Sequence, residues 1–319
     1  MAEFKGTREA FAQAVMELAE QDDRVMFVSP DSLKAMRAVK FAERFPEEYV
    51  EVGISEQNAV DMAAGLAASG LVPFVATYGG FLTMRACEQM RTFVAYPNLN
   101  VKFVGINSGL LGGEREGVTH QFYEDLGILS NIPNFTILTP ADGNQAYHAV
   151  KRAYEIDGPV YVRAGSGREK DVYPESAPFN KEGITVLRRY GNDALLLSNG
   201  FVLDRVLEAA EVLKAQGILV TVGDINILYG KNPEAIVREI SASERIVTVE
   251  DHNINGGMGA YISKLSVENA PKRITRLGLT SFGESGPAKE LADAYGLSVE
   301  NIVETVKHIG KQNSDKRKE

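Results

Sequence analysis

The chain has 319 residues, 44% of them hydrophobic, and its 34 basic and 43 acidic side chains give a formal charge of −9. That length and apolar content can fill the cores of two ordinary domains, while the acidic balance, with no basic block before the extreme C-terminus, disfavours a nucleic-acid partner. No apolar run reaches membrane length, the opening Met-Ala-Glu-Phe-Lys-Gly lacks the form of a signal peptide, and a single Cys87 excludes an internal disulfide or a cysteine-only metal cluster, so a cytoplasmic location is expected.

Strand-like runs alternate with helical ones along the whole chain, the pattern of parallel sheets with helices on their faces. Strands are predicted at 25–28, 49–52, 73–76, 101–106, 135–138 and 160–162, separated by helices that start near Thr7, Ser55, Leu82, Tyr123 and Gly143. Residues 165–180, rich in Gly, Ser, Pro and charge, interrupt the pattern. Strands follow at 194–197, 219–222, 246–249 and around Ile274, with helices at 202–215, 233–240, 258–265 and 288–295 and a last one from about Ser298. The expected fold is α/β, with two consecutive parallel-sheet domains at 1–168 and 191–319 joined by a linker at 169–190. The polar stretch 311–319 reads as a frayed tail.

One carboxylate stands out, in Glu51-Val-Gly-Ile-Ser-Glu-Gln-Asn58. Gly53 permits a sharp exit from the strand and Ser55 is placed to cap the next helix. Ala59, Met62, Ala63, Leu66 and Ala67 then recur at helical spacing, which puts Glu56 in the first turn at the mouth of the sheet. An acid there is ordinarily explained by the helix dipole, a pair of aromatics such as Tyr78 and Phe81 by core packing, and Cys87 in a helical stretch by burial. His120, in a Gly-Val-Thr-His-Gln turn, can titrate near neutrality, although histidine has many structural uses.

The neighbours of these residues shift the reading. Ile54-Ser-Glu-Gln-Asn58, Tyr78-Gly-Gly-Phe81, Arg91-Thr-Phe-Val-Ala-Tyr-Pro-Asn98, Gly117-Val-Thr-His-Gln121 and Ile132-Pro-Asn134 follow one another in an order that resembles thiamine-diphosphate enzymes of the transketolase type. Glu250-Asp-His-Asn-Ile-Asn-Gly-Gly-Met-Gly259 and Phe282-Gly-Glu-Ser-Gly286 resemble the C-terminal domain of that family. The resemblance runs from about Arg8 to the end of the chain and covers only the second half of a full-length transketolase, a pyrimidine-binding domain followed by the C-terminal domain, each three-layered.

What the resemblance implies is specific. Glu56 matches the carboxyl group that hydrogen-bonds N1′ of the aminopyrimidine, and Tyr78 and Phe81 match aromatics that wall the ring, with Met84 where many relatives have a third. His120 matches a residue beside the reacting carbonyl, suited to moving protons. Arg8 and Arg163 match arginines that grip a sugar phosphate through their planar donor forks. Glu116 stands where the family usually has an aspartate contacting a substrate hydroxyl. Ser108 replaces a histidine of the usual phosphate site, and Arg115 replaces an acid common in relatives; both point either to drift in a loop or to a non-standard ketose, such as a branched or sulfonated sugar. No Gly-Asp-Gly occurs, the motif that holds Mg²⁺ and the diphosphate in the family, so no metal ligand is assigned to this chain. A separate N-terminal-half subunit is expected to supply them, in an α₂β₂ assembly acting on sugars or sugar phosphates. The rival readings are the β subunit of a 2-oxo acid dehydrogenase, which shares this domain order, and a non-catalytic partner with the same fold.

Overall fold

The computed structural model describes residues 4, 6–230 and 232–316, with side chains through residue 309. Six strands build the first half: β1 Val25–Ser29, β2 Tyr49–Glu51, β3 Val72–Tyr78, β4 Lys102–Ile106, β5 Thr136–Leu138 and β6 Val160–Arg163. Six more follow: β7 Ile184–Arg189, β8 Ala194–Ser198, β9 Val220–Ile225, β10 Ile227–Leu228, β11 Arg245–Asn253 and β12 Arg273–Leu279. They form a seven-stranded sheet, β10-β5-β6-β4-β3-β1-β2, and a five-stranded sheet, β12-β11-β8-β9-β7. Both are parallel except at one edge, where β10 runs antiparallel to β5 and β7 antiparallel to β9.

The expected α/β class therefore holds, and the differences fall at the edges. Ile184–Arg189 lies inside the predicted linker yet pairs with β9, so the irregular connection is shorter than 169–190. Two-residue β10 comes from the second half of the chain but completes the first sheet. A run that short carries no alternation to read. The helix Val39–Arg44 escaped prediction for the same reason, since it buries only Phe41. Ser55 occupies the N-cap position, but its hydroxyl makes no capping hydrogen bond. Cys87 is half-buried rather than in the core. The predicted tail is helical in backbone to Lys316, and 317–319 lie outside the described residues.

Packing ties the halves together. Helix Thr7–Ala19 turns Ala10, Phe11, Ala14, Val15 and Leu18 inward, the spacing of one helical face. Helix Glu56–Ala68 buries Ala59, Val60 and Ala63 in a cluster that continues through Leu82, Met90 and Phe103 to Leu197, Ile236 and Met258 of the second half. Leu110 and Leu111, from the loop after β4, are buried with Leu196, Val206 and Val249 of the second sheet's core. Each such side chain contributes on the order of 1.5–3 kcal/mol when fully buried. Among the described residues no helix is long and apolar enough to cross a membrane.

Candidate active site

Apart from Arg8, every site residue predicted from sequence lies at the C-terminal end of a strand of the first sheet or in the segment that follows one, where open α/β sheets bind ligands. Glu56 opens the helix after β2, with its backbone in the first turn and its side chain 6% exposed. Tyr78 is the last residue of β3. Gly79 and Gly80 follow it and lead into a π-helical turn, Phe81–Arg85. A Cβ at Gly80 would lie 1.9 Å from Cδ1 of Phe122, so only glycine lets this turn close on the loop behind it. A second π turn covers Met90–Ala95, where sequence periodicity predicted plain α-helix. Such turns are uncommon and recur at functional sites.

Three predicted residues meet directly. The rings of Tyr78 and Phe81 are 5.2 Å apart, and His120 stands edge-on to both, 5.0 Å from Tyr78 and 5.3 Å from Phe81. Phe122 closes the cluster, 5.3 Å from Phe81. Thr119 Oγ1 and His120 Nδ1 are 2.9 Å apart, a contact that can fix the orientation of the ring. Glu56 joins the cluster through Arg85: its Oε1 accepts from Arg85 Nη1 at 2.9 Å, and the Arg85 guanidinium lies 3.7 Å over the Phe81 ring. Met84, three residues past Phe81, is 45% exposed.

The predicted sugar contacts divide. Arg8 donates to the Asn107 side chain and to the Ala35 carbonyl, and it lies within electrostatic reach of Tyr78, Glu169 and Glu116. Burial lowers its guanidinium from the ordinary value against the opposing pull of those three groups. Both hydrogen-bond acceptors are neutral, and the acids act on its charge only through space. Glu116 is exposed in the same loop as His120. Arg163 is different: it is 2% exposed, donates through Nε to Asp125 at 3.0 Å, and donates through Nη2 to the Asp251 carbonyl at 2.9 Å. Its Nε and Nη2 donors join the two halves of the chain. Ser108 is fully buried, and its hydroxyl donates to the Gly105 carbonyl at 3.1 Å, so it does not line an open subsite.

The loop that carries His120 is held by the second half of the chain. Gly109 N–H donates to the Phe122 carbonyl at 2.6 Å and closes the loop on itself. The Asp251 carboxylate accepts the backbone N–H groups of Leu110 and Leu111 at 2.8 and 2.9 Å, and Gln121 Nε2 donates to the Glu284 carbonyl at 2.8 Å. His252 accepts from Leu126 N–H through Nε2 at 3.2 Å and is paired through Nδ1 with the Asn253 carbonyl, which makes it a neutral Nδ1–H tautomer. Burial pushes His252 down to about 4 and Glu250 up to about 8. Sequence reasoning missed Arg85, Asn107, Phe122, Asp125 and Asp251. Phe122 and Arg85 were within reach, being two residues past His120 and four past Phe81.

These residues fit the ring end of thiamine diphosphate: a buried carboxylate, an aromatic wall and a planar cation already lying on it. Among the described residues no group of three or more His, Cys, Asp or Glu could hold a metal ion.

Comparison with known proteins identifies the family of both halves of the chain. Residues 5–167 match the family described as "Transketolase, pyrimidine binding domain" and 183–302 the one described as "Transketolase, C-terminal domain". The chain is 32% identical to a 6-deoxy-6-sulfo-D-fructose transketolase subunit SqwH of Clostridium sp. (strain MSTE9), over 95% of this chain and 94% of that one. It is 36% identical to the 1-deoxy-D-xylulose-5-phosphate synthase of Thioalkalivibrio sulfidiphilus over 94% of this chain but 46% of the relative. A solved structure described as "Split gene transketolase, inactive beta4 tetramer" superimposes with a TM-score of 0.85 at 32% identity, covering 96% of this chain and 98% of that one. The chain belongs to the transketolase family and carries its pyrimidine-binding and C-terminal domains.

Proposed function

We propose that this chain is the C-terminal-half subunit of a split transketolase and transfers a two-carbon ketol unit from a ketose to an aldose. The observation that carries the reading is the meeting of Glu56, Tyr78, Phe81 and His120 at the strand ends, in a chain that matches split-transketolase proteins along nearly their full length. Thiamine diphosphate, when bound, supplies the stabilised carbanion that makes and breaks carbon–carbon bonds. Glu56 would hold the aminopyrimidine ring by a hydrogen bond, and Tyr78 and Phe81, with Met84 at the rim, would exclude water from it. His120 would hold or deliver a proton at the substrate oxygen nearest the reacting carbon. Arg8 would bind the anionic end of the sugar, with Glu116 near its hydroxyls.

Mg²⁺ and the diphosphate belong in this reading to an N-terminal-half partner, and the expected assembly is α₂β₂, with domains at 1–168 and 191–319 and a cytoplasmic location. Relatives of matching length described as transketolase subunits support a separate partner. The sulfonated fructose in the name of the SqwH relative supports a non-standard ketose as donor.

A coupled assay of the reconstituted pair tests the reading across xylulose 5-phosphate, a sulfonated ketose and a branched ketose phosphate. Turnover is expected with at least one donor and none from this chain alone. Full activity without a partner would refute the split arrangement.

A further inference from the structure

Arg85 touches two of the groups that the thiamine diphosphate reading assigns to the aminopyrimidine, Glu56 and Phe81. It donates to Glu56 Oε1 at 2.9 Å, and its guanidinium lies 3.7 Å from the centroid of the Phe81 ring. A flat cation is thus stacked on an aromatic face and hydrogen-bonded to a buried carboxylate, the two positions an aminopyrimidine ring would take on this pair, with the proton to its N1′ supplied by the carboxyl group instead of the arginine. We propose that Arg85 is a displaceable stand-in for that ring: it fills the slot in the cofactor-free chain and swings out when thiamine diphosphate seats. The inference rests on the cofactor reading above.

Local structure makes the exchange possible. The π turn Phe81–Arg85 brings its first and last side chains into contact. Glu56 is 6% exposed while Arg85 is 49% exposed, so the arginine has solvent to move into and the carboxylate does not. An unpartnered carboxylate at that depth would be costly, and Arg85 removes the cost while the slot lacks its ligand. Half-exposed ion pairs and cation–π contacts are individually weak, so a cofactor held elsewhere by its diphosphate can displace them.

The test is calorimetric titration of thiamine diphosphate with Mg²⁺ into the chelator-stripped complex of this chain and its N-terminal-half partner. Arg85→Ala is expected to tighten Kd about fivefold to tenfold, because the competing contacts are gone. Arg85→Lys, which keeps the charge but loses the flat stack, should fall between Arg85→Ala and wild type. Unchanged binding in Arg85→Ala overturns the proposal, as does weaker binding, which would make Arg85 a residue that orients Glu56 for the bound ring. A wild-type complex that binds no thiamine diphosphate removes the cofactor reading itself and the proposal with it. A crystal structure of the loaded complex gives an independent readout: Arg85 is expected beyond hydrogen-bonding distance of Glu56, and a retained contact overturns the proposal.

Discussion

Arg163 and Asp125 form a fully buried ion pair at 3.0 Å, with side chains 2% and 0% exposed. Tyr161 adds its hydroxyl to the same carboxylate at 2.9 Å, and the other end of Arg163 reaches the Asp251 carbonyl. The pair therefore sits where the two halves of the chain meet, behind the loop that carries His120. Removing the cation would leave Asp125 charged, dry and short of a partner.

Arg163→Ala is accordingly expected to cost about 3–5 kcal/mol of stability, the usual penalty for breaking a buried pair. Arg8→Ala removes hydrogen bonds to neutral acceptors and a through-space attraction to nearby acids, and should cost about 1 kcal/mol. It should raise KM for anionic sugars more than for glycolaldehyde. Denaturant unfolding of both variants beside donor kinetics checks the contrast. Equal stabilities would return Arg163 to the role of a sugar contact.

Glu56→Gln keeps the shape of the side chain and a hydrogen-bonding oxygen for Arg85. Folding should be nearly unchanged, while turnover of the reconstituted complex falls about 10²–10⁴-fold through the lost proton function. Near-normal turnover would mean that another carboxylate does this work.

Ser108→His should not restore a sugar-phosphate grip. The position is fully buried, and a Cβ at Gly79 would already lie 2.8 Å from Ser108 Oγ, so an imidazole must push neighbouring backbone aside. A destabilisation of about 1–3 kcal/mol with an unchanged ranking of donors is expected. Thermal melts and the donor panel decide, and a shift toward pentose phosphates would show that the loop opens in solution.

Glu250 gives a dependence of stability on pH. Burial raises its folded pKa to about 8 from 4.5, so between those values the folded chain holds a proton that the unfolded chain has released. Its contribution is fully present below about pH 4.5 and is lost as pH rises toward 8, at about 1.4 kcal/mol per pH unit. Asp224, raised to about 7, adds in the same direction at lower pH, whereas His252, lowered to about 4, acts oppositely between 4 and 6.5. Lys102, lowered by burial to about 7 from 10.5, also acts oppositely above pH 7, so the Glu250 contribution is read at pH 7–8 as the difference between wild type and a Glu250 variant. The Tm of the wild type should drop relative to that of Glu250→Gln across pH 7–8, the Lys102 contribution being common to both, and parallel curves would remove Glu250 as the source.

Much of this protein was legible in the order of its residues. Alternating apolar runs mark the strands because burial selects them locally, and Gly53 with the helical spacing after Ser55 places Glu56 at a strand mouth. Tyr78, Phe81 and His120 carried short motifs around them, so their meeting was foreseeable. Only the tertiary structure decided which polar groups pair with one another. Arg8 and Arg163 look alike in sequence, yet one ends on neutral acceptors and the other on Asp125, because ion pairing depends on residues brought together from distant strands. Ser108 and Asn107 are adjacent, but the course of the backbone at the end of β4 turns the serine into the core and the asparagine onto Arg8. The grip of Asp251 on Leu110 and Leu111 spans about 140 residues of chain, and no local pattern encodes a contact at that separation.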